Sequence, residues 1–227
     1  MKVRAQDRIA GERNIAAMMT VLRRQARTWN APVFTSAPSA PHDPFQVLVG
    51  CLLSLRTKDE TTGPASGRLF ALADSPAALR GLTARRIARA IYPVGFYRTK
   101  ARTLRRIAAI LLERYDGAVP GTLDGLLELP GVGRKTANLV LTQGFGKPGI
   151  CVDTHVHRIT NRWGYVRTRS PNDTELALRD KLPRRYWRRI NELLVALGQT
   201  ICRPISPRCS ACPVSGYCAR VGVERSR

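Results

Sequence analysis

Apolar residues recur along this chain at helical spacing. Ile15, Met18, Met19 and Leu22 fall at i, i+3, i+4 and i+7; Leu104, Ile107, Ala108, Leu111 and Leu112 repeat the pattern; Ile190, Leu193, Leu194, Leu197 and Ile201 form a third stripe. Each stripe lies along one side of a helix of period 3.6 and predicts an amphipathic helix with one buried face. No stretch sustains the period of two that a half-buried strand requires, so the predicted class is all-α. Residues 31–44, with Pro32, Pro38, Pro41 and Pro44 among small residues, read as a linker, and Gly144-Phe145-Gly146-Lys147-Pro148-Gly149 marks a second boundary. Helices are therefore expected in three blocks: one near the N-terminus, several within 45–143, and several from Thr154 onward.

A length of 227 residues suits one large domain or two small ones. Lys plus Arg number 38 against 16 Asp plus Glu, a formal net charge of +22, and 32 of the cations are Arg. That balance excludes an acidic disordered chain and favours a polyanionic partner. The competing explanation is a GC-rich coding bias that places Arg on solvated faces. The longest apolar stretch, 47–55, is far short of the ~20 residues a membrane-spanning helix needs, and the charged start 1–8 lacks the apolar centre of a secretion signal. The expectation is a soluble intracellular protein, where six cysteines are not expected to pair as structural disulfides.

The most informative segment is Leu129-Pro130-Gly131-Val132-Gly133-Arg134-Lys135-Thr136-Ala137, set between two apolar runs. Glycines in a tight turn permit φ > 0 and close backbone approach to a ligand, and the helix that follows presents unpaired N–H groups. Gly131, Val132, Gly133 and Arg134 thus make a candidate phosphate site without base preference; the alternative is a helix–turn–helix whose glycines serve packing alone. Lys135 opens that helix, as one more phosphate contact or as a nucleophile. To attack, its amine must be neutral, a form favoured by the helix dipole, by Arg134 and by desolvation.

Eighteen positions on stands Cys151-Val152-Asp153-Thr154-His155-Val156-His157-Arg158. Asp153 or Thr154 can cap the helix beginning there. As a partner of Lys135, the Asp153 carboxylate can also stabilise positive charge at a sugar C1′ or handle the amine's proton. His155 and His157, two apart, point to different helix faces and read as structural or phosphate-side residues. Cys202, Cys209, Cys212 and Cys218 are separated by six, two and five residues. Four thiolates so close suit a tetrahedral metal or a cubane cluster, with zinc the alternative on spacing alone. Cys51 and Cys151 read as buried, inert thiols. Arg203 and Arg208 flank a proline-stiffened loop between the first two ligands and are candidate phosphate contacts; the alternative is a solvated loop.

The glycine hairpin with Lys135, then Asp153, then the four-cysteine tail together resemble the endonuclease III family, within the helix–hairpin–helix DNA glycosylase superfamily. The resemblance spans about 44–218, and Gly95-Phe96-Tyr97-Arg98-Thr99-Lys100-Ala101 resembles a family loop facing DNA. It implies a two-lobed all-α fold: a six-helix lobe over 37–147 with the hairpin, and a cluster lobe built from 1–36 and 148–227. It implies a [4Fe–4S] cluster on Cys202, Cys209, Cys212 and Cys218, mainly structural and DNA-positioning. Lys135 would be the nucleophile and Asp153 its electrostatic and proton-handling partner, in a bifunctional DNA glycosylase and AP lyase of base excision repair. Its implied substrate is double-stranded DNA carrying an oxidised pyrimidine or an abasic site, with the protein acting as a monomer at the nucleoid of a prokaryote. Lysine at 135 separates the chain from the mismatch adenine and thymine glycosylases, and the cysteine tail from the oxidised-guanine enzymes. Arg56 stands where the family usually has a glutamine that fills the gap left by the extruded nucleotide, and Phe96 where it usually has a leucine wedge. Two rival readings share these motifs: an iron–sulfur DNA-binding damage sensor without catalysis, and a monofunctional mismatch glycosylase.

Overall fold

The computed structural model describes residues 12–26, 28–29 and 43–227. Residues 1–8 and most of the 31–44 stretch lie outside the described residues. In chain order the helices are α1 (Glu12–Ala26), α2 (Pro44–Ser54), α3 (Asp59–Phe70), α4 (Pro76–Gly81), α5 (Ala84–Ile91), α6 (Tyr97–Arg114), α7 (Leu123–Leu127), α8 (Arg134–Leu139), α9 (Thr154–Arg162), α10 (Pro171–Lys181) and α11 (Trp187–Thr200). No strand occurs among the described residues, and no described helix is long and apolar enough to cross a membrane. Contacts divide the chain into two compact units: Ser39–Gly149, and the described part of Met1–Pro38 joined with Ile150–Arg227.

In the first of these, α2 is the central element. Asp43 caps it, accepting the Phe45 N–H at 2.9 Å, and Pro44 fills the first turn, where its missing N–H costs nothing. Val47, Leu48, Val49, Leu52 and Leu53 are all buried, so the helix is apolar on more than one side, as a core helix must be. Around it, α6 packs against α4 and α5 with Ala101, Leu104, Ile107, Ala108 and Leu111 buried. Leu112, the last member of that sequence stripe, instead faces solvent at 38% exposure. After α8 the chain continues as a π-helical turn, Val140–Gly144, packed on α2, where a plain α-helical run was expected. A Cβ on Gly144 would come within 2.9 Å of the Pro44 Cα, so glycine is what lets the two backbones touch.

In the other unit, Ile15, Met18 and Leu22 of α1 share one core with Ile159 and Trp163, and with Ile190, Leu194 and Leu197 of α11. The third stripe closes at Ile201, half-buried at the end of α11. A capping box fixes the start of α10, with Ser170 and Asp173 satisfying each other's backbone N–H groups. Helices α9 and α11 approach so closely that a Cβ on Gly198 would fall 2.2 Å from His155 Nδ1.

Candidate functional site

The hairpin glycines do different work. Gly131 has φ 79°, a conformation that other residues adopt only under strain, and its N–H side leads into a turn closed by the Val132 N–H donating to the Leu129 carbonyl at 3.1 Å. Gly133 has φ −96°, and a Cβ there would meet nothing within 4 Å. Neither φ nor internal packing requires that second glycine, and the space in front of it is open. Val132, expected at the DNA interface, is turned into the core at 7% exposure, and its N–H is already used by the turn. Apolar burial outweighs exposure for such a side chain, so Val132 braces the hairpin from within. Arg134 is half-buried in the first turn of α8.

Lys135 follows it, exposed, and no hydrogen bond or ion pair holds its ammonium among the described residues. It lies within electrostatic reach of Cys51 on α2. Burial pushes the Cys51 thiol up to about 11, against a smaller downward pull from Lys135, so this sulfur stays protonated and inert.

Arg56 and Phe96 come together at the surface of the same unit. Both are exposed, Phe96 at 62%, and both hold left-handed backbone, φ 52° and 59°. The exposure of Phe96 is that of a projecting ring and not of a core aromatic. Such conformations cost about 1–3 kcal/mol each and persist only where the surroundings over-determine them. Lys100 does so: its ammonium donates to the Leu53 and Leu55 carbonyls at 2.7 and 2.6 Å and to Thr57 Oγ1 at 3.3 Å, satisfying the C-terminal carbonyls of α2. Burial pulls the Lys100 ammonium below its ordinary value. Thr57 Oγ1 in turn accepts the Gly95 N–H at 3.1 Å, and a Cβ on Gly95 would lie 2.7 Å from the Arg56 carbonyl oxygen. Lys100 and Gly95 lie in the 95–101 stretch that resembles a family loop, but their roles depend on a loop some forty residues away, which no local pattern pairs with them.

Asp153 belongs to the other unit and caps α9: its Oδ1 accepts the N–H groups of His155 and Val156, both at 2.9 Å. Its Oδ2 takes no hydrogen bond among the described residues, so capping leaves one carboxylate oxygen available. The two histidines are structural. His157 Nδ1 pairs with Thr174 Oγ1 at 2.7 Å, and His155 Nδ1 with Arg158 at 3.1 Å.

At the far end of α9 the four C-terminal cysteines, none of them in a disulfide, line one cavity of about 20 Å³. Four cysteine sulfurs converging on one space suit a cubane cluster. Burial, then the neighbouring sulfurs, raise the Cys212 thiol to about 11 and move Cys218 in the same direction. Thiolates at these two positions would need positive charge beside them, which a bound metal cluster supplies. Donors already point at the sulfurs: Arg162 at Cys202 Sγ, 3.5 Å, and the Arg220 N–H at Cys218 Sγ, 3.4 Å. Such hydrogen bonds stabilise and tune cluster thiolates.

Two arginines missed by sequence reading frame this loop. Arg162 donates to the carbonyls of Arg203 and Pro204, both at 2.6 Å, and Arg158 to that of Cys202 at 2.9 Å. They occur at i and i+4 on α9, a repulsive pairing in isolation that the carbonyls offset. The side chains of Arg203 and Arg208 are exposed, and Arg208 stands at the mouth of the thiol cavity.

An all-helical fold carrying a glycine hairpin and a four-thiol cavity defines a class. A family model described as "HhH-GPD superfamily base excision DNA repair protein" matches residues 49–184, and one for the "Iron-sulfur binding domain of endonuclease III" matches 202–218, beginning and ending on cysteines. Within that class the chain belongs to the endonuclease III family. It is 48% identical to "Endonuclease III" of Thermotoga maritima over 78% of this chain and 83% of that one. It is 47% identical to "Endonuclease III homolog 1, chloroplastic" of Arabidopsis thaliana over 80% of this chain, spanning 50% of that longer protein. A solved structure, "Structure of a Trapped Endonuclease III-DNA Covalent Intermediate: Estranged-Adenine Complex", superposes with a TM-score of 0.75 at 32% identity over 89% of this chain and 94% of that one. The chain is a DNA-binding DNA glycosylase of base excision repair with an iron–sulfur cluster, and lyase activity is typical of its family.

Proposed function

We propose that this protein excises oxidised pyrimidines from duplex DNA and then cuts the strand, using Lys135 as nucleophile. The observation that carries this reading is the state of Lys135: an exposed amine in the first turn after the hairpin, held by no hydrogen bond or ion pair among the described residues. The damaged nucleotide leaves the stack, at a cost of a few kcal/mol that is least for weakened pairs. Lys135 Nζ forms a bond to C1′ as the C1′–N bond breaks, and the base leaves with a proton. The amine loses its own proton, the sugar opens, and a Schiff base joins Nζ to C1′. Loss of a C2′ proton then expels the 3′ phosphate by β-elimination, and water releases the enzyme. Asp153, with Oδ2 uncommitted, serves as the carboxylate that balances the cation and handles these protons. The cited solved structure is named for a covalent DNA intermediate, which supports the same chemistry here.

Gly131, Gly133, Arg134, Arg203 and Arg208 are assigned to backbone phosphates, and Arg56 and Phe96 to the gap left by the extruded nucleotide. Cys202, Cys209, Cys212 and Cys218 are assigned as ligands of a [4Fe–4S] cluster that holds the 203–208 loop in shape. The Ser39–Gly149 unit carries the hairpin and wedges, the unit from both termini carries the cluster, and the protein acts as a monomer at the chromosome.

The test is borohydride trapping on an oligonucleotide with an oxidised thymine or an abasic site. A covalent adduct is expected with the wild type and none with Lys135→Ala. Base release without any adduct would favour a monofunctional enzyme, and binding without release a damage sensor; either outcome overturns the proposal.

A further inference from the structure

Away from the hairpin, the Ser39–Gly149 unit holds a concavity of about 530 Å³ between α5 and α6. Arg85 and Arg89 face it from α5, Arg98 and Arg102 from α6, with Tyr92 and Tyr97 between them, and no acidic residue lines it. All four arginines are exposed, and no carboxylate pairs with any of them among the described residues.

Each helix contributes its two arginines at i and i+4, where like charges destabilise by a few tenths of a kcal/mol, and the two pairs also face one another. An arginine bias on solvated faces does not explain why they converge on a cavity. Nor does it explain the aromatic floor. Tyr92 is 60% exposed, which removes a large ring from the core. It is nevertheless held in place. Its ring meets Tyr97 edge-on at 5.4 Å and 84°, and Arg68 fixes the backbone behind it through the carbonyls of Ala90 and Tyr92. Arg98 lies 5.5 Å over the Tyr97 ring. Fixed aromatic faces ringed by cations are the chemistry of unpaired nucleic acid: bases stack on the rings and phosphates meet the guanidiniums. The cavity also adjoins the wedge, since Tyr97 follows Phe96 directly.

We infer that the Arg85/Arg89/Arg98/Arg102 cavity with Tyr92 is a binding site for an unpaired nucleotide and its flanking phosphates, in DNA opened beside Phe96. This rests on the DNA-repair reading above and adds a second contact to it.

The test uses the full cluster-containing protein and fluorescence anisotropy with a labelled oligothymidine, titrated over a range of salt. Arg89→Ala with Arg102→Ala is expected to reduce the slope of log affinity against log salt by roughly 1.4, about 0.7 per lost phosphate contact on single strands. Arg86→Ala with Arg105→Ala removes the same charge from exposed positions on the same helices that do not line the cavity, and is expected to change the slope by less than half as much. Tyr92→Ala is expected to weaken binding at least about five-fold, with Tyr92→Phe restoring it. Equal slopes for the two arginine pairs, or a Tyr92→Ala variant that binds like the wild type, would overturn the inference. Borohydride trapping by the wild type runs in parallel. A wild type that traps an abasic strand while the slopes stay equal sinks the cavity alone. A wild type that fails to trap sinks the Lys135 chemistry and leaves the binding result to be read by itself.

Discussion

The guanidinium of Arg56 lies 5.8 Å from the centroid of the Phe96 ring, and both residues stand in left-handed backbone at the tips of neighbouring loops. A cation over an aromatic face is worth about 0.5–1 kcal/mol at an exposed site, too little to hold two strained loops together. Lys100, Thr57 and the bare Cα of Gly95 supply the rest. With Arg56 and Phe96 proposed to fill the gap left by the extruded nucleotide, this pair is where base extrusion should be sensitive.

If Phe96 is the proposed wedge, Phe96→Ala should lower the single-turnover rate of base release about tenfold or more, because unstacking a base step costs a few kcal/mol that an inserted ring would offset. Binding to a strand already carrying an abasic site should fall less. Equal losses in both measurements would place Phe96 in general affinity.

Lys100→Met keeps the aliphatic stem and removes the donor. The Leu53 and Leu55 carbonyls then lose a charge-assisted partner, at an expected cost of about 1–3 kcal/mol, read as a lower urea midpoint. The release rate should drop alongside, while Lys135 still traps an abasic strand.

Gly198→Ala puts a methyl 2.2 Å from His155 Nδ1, so the His155 ring, α9 or α11 must move. The expected effect is a destabilisation of about 1–3 kcal/mol, with reduced excision where α9, which Asp153 caps, takes up the shift. A fully active, equally stable variant would show that His155 swings aside freely.

Arg162→Ala removes the clamp on the Arg203 and Pro204 carbonyls and the donor to Cys202 Sγ. The cluster should still assemble, giving a brown protein, but bleach faster with chelator or oxygen. The check is the decay of visible absorbance against the wild type.

The Cys51 thiol, raised by burial from 9.0 to about 11, binds its proton more tightly folded than unfolded. The unfolded chain releases that proton first as pH rises, so the contribution is fully present below pH 9 and is lost between about 9 and 11. The unfolding free energy of the wild type should fall relative to Cys51→Ala across that window, measured by urea titration.

Sequence alone determined the parts of this protein that are local. Helical stripes, the Gly131–Lys135 turn and the spacing of four cysteines are written in consecutive residues, because helix periodicity, turn conformation and metal coordination act over short range. It also set out both uses of Asp153 without deciding between them; the structure shows Oδ1 used as a cap, with Oδ2 left over. What only the tertiary structure decided depends on residues far apart in the chain. Val132 was counted with the DNA contacts, yet burial in the core claims its side chain. Lys100 finds its partners more than forty positions earlier, and Arg158 and Arg162 find theirs more than forty positions later. Burial, close backbone approach and hydrogen bonds across loops are fixed by which surfaces meet on folding, and no local pattern in the chain records that meeting.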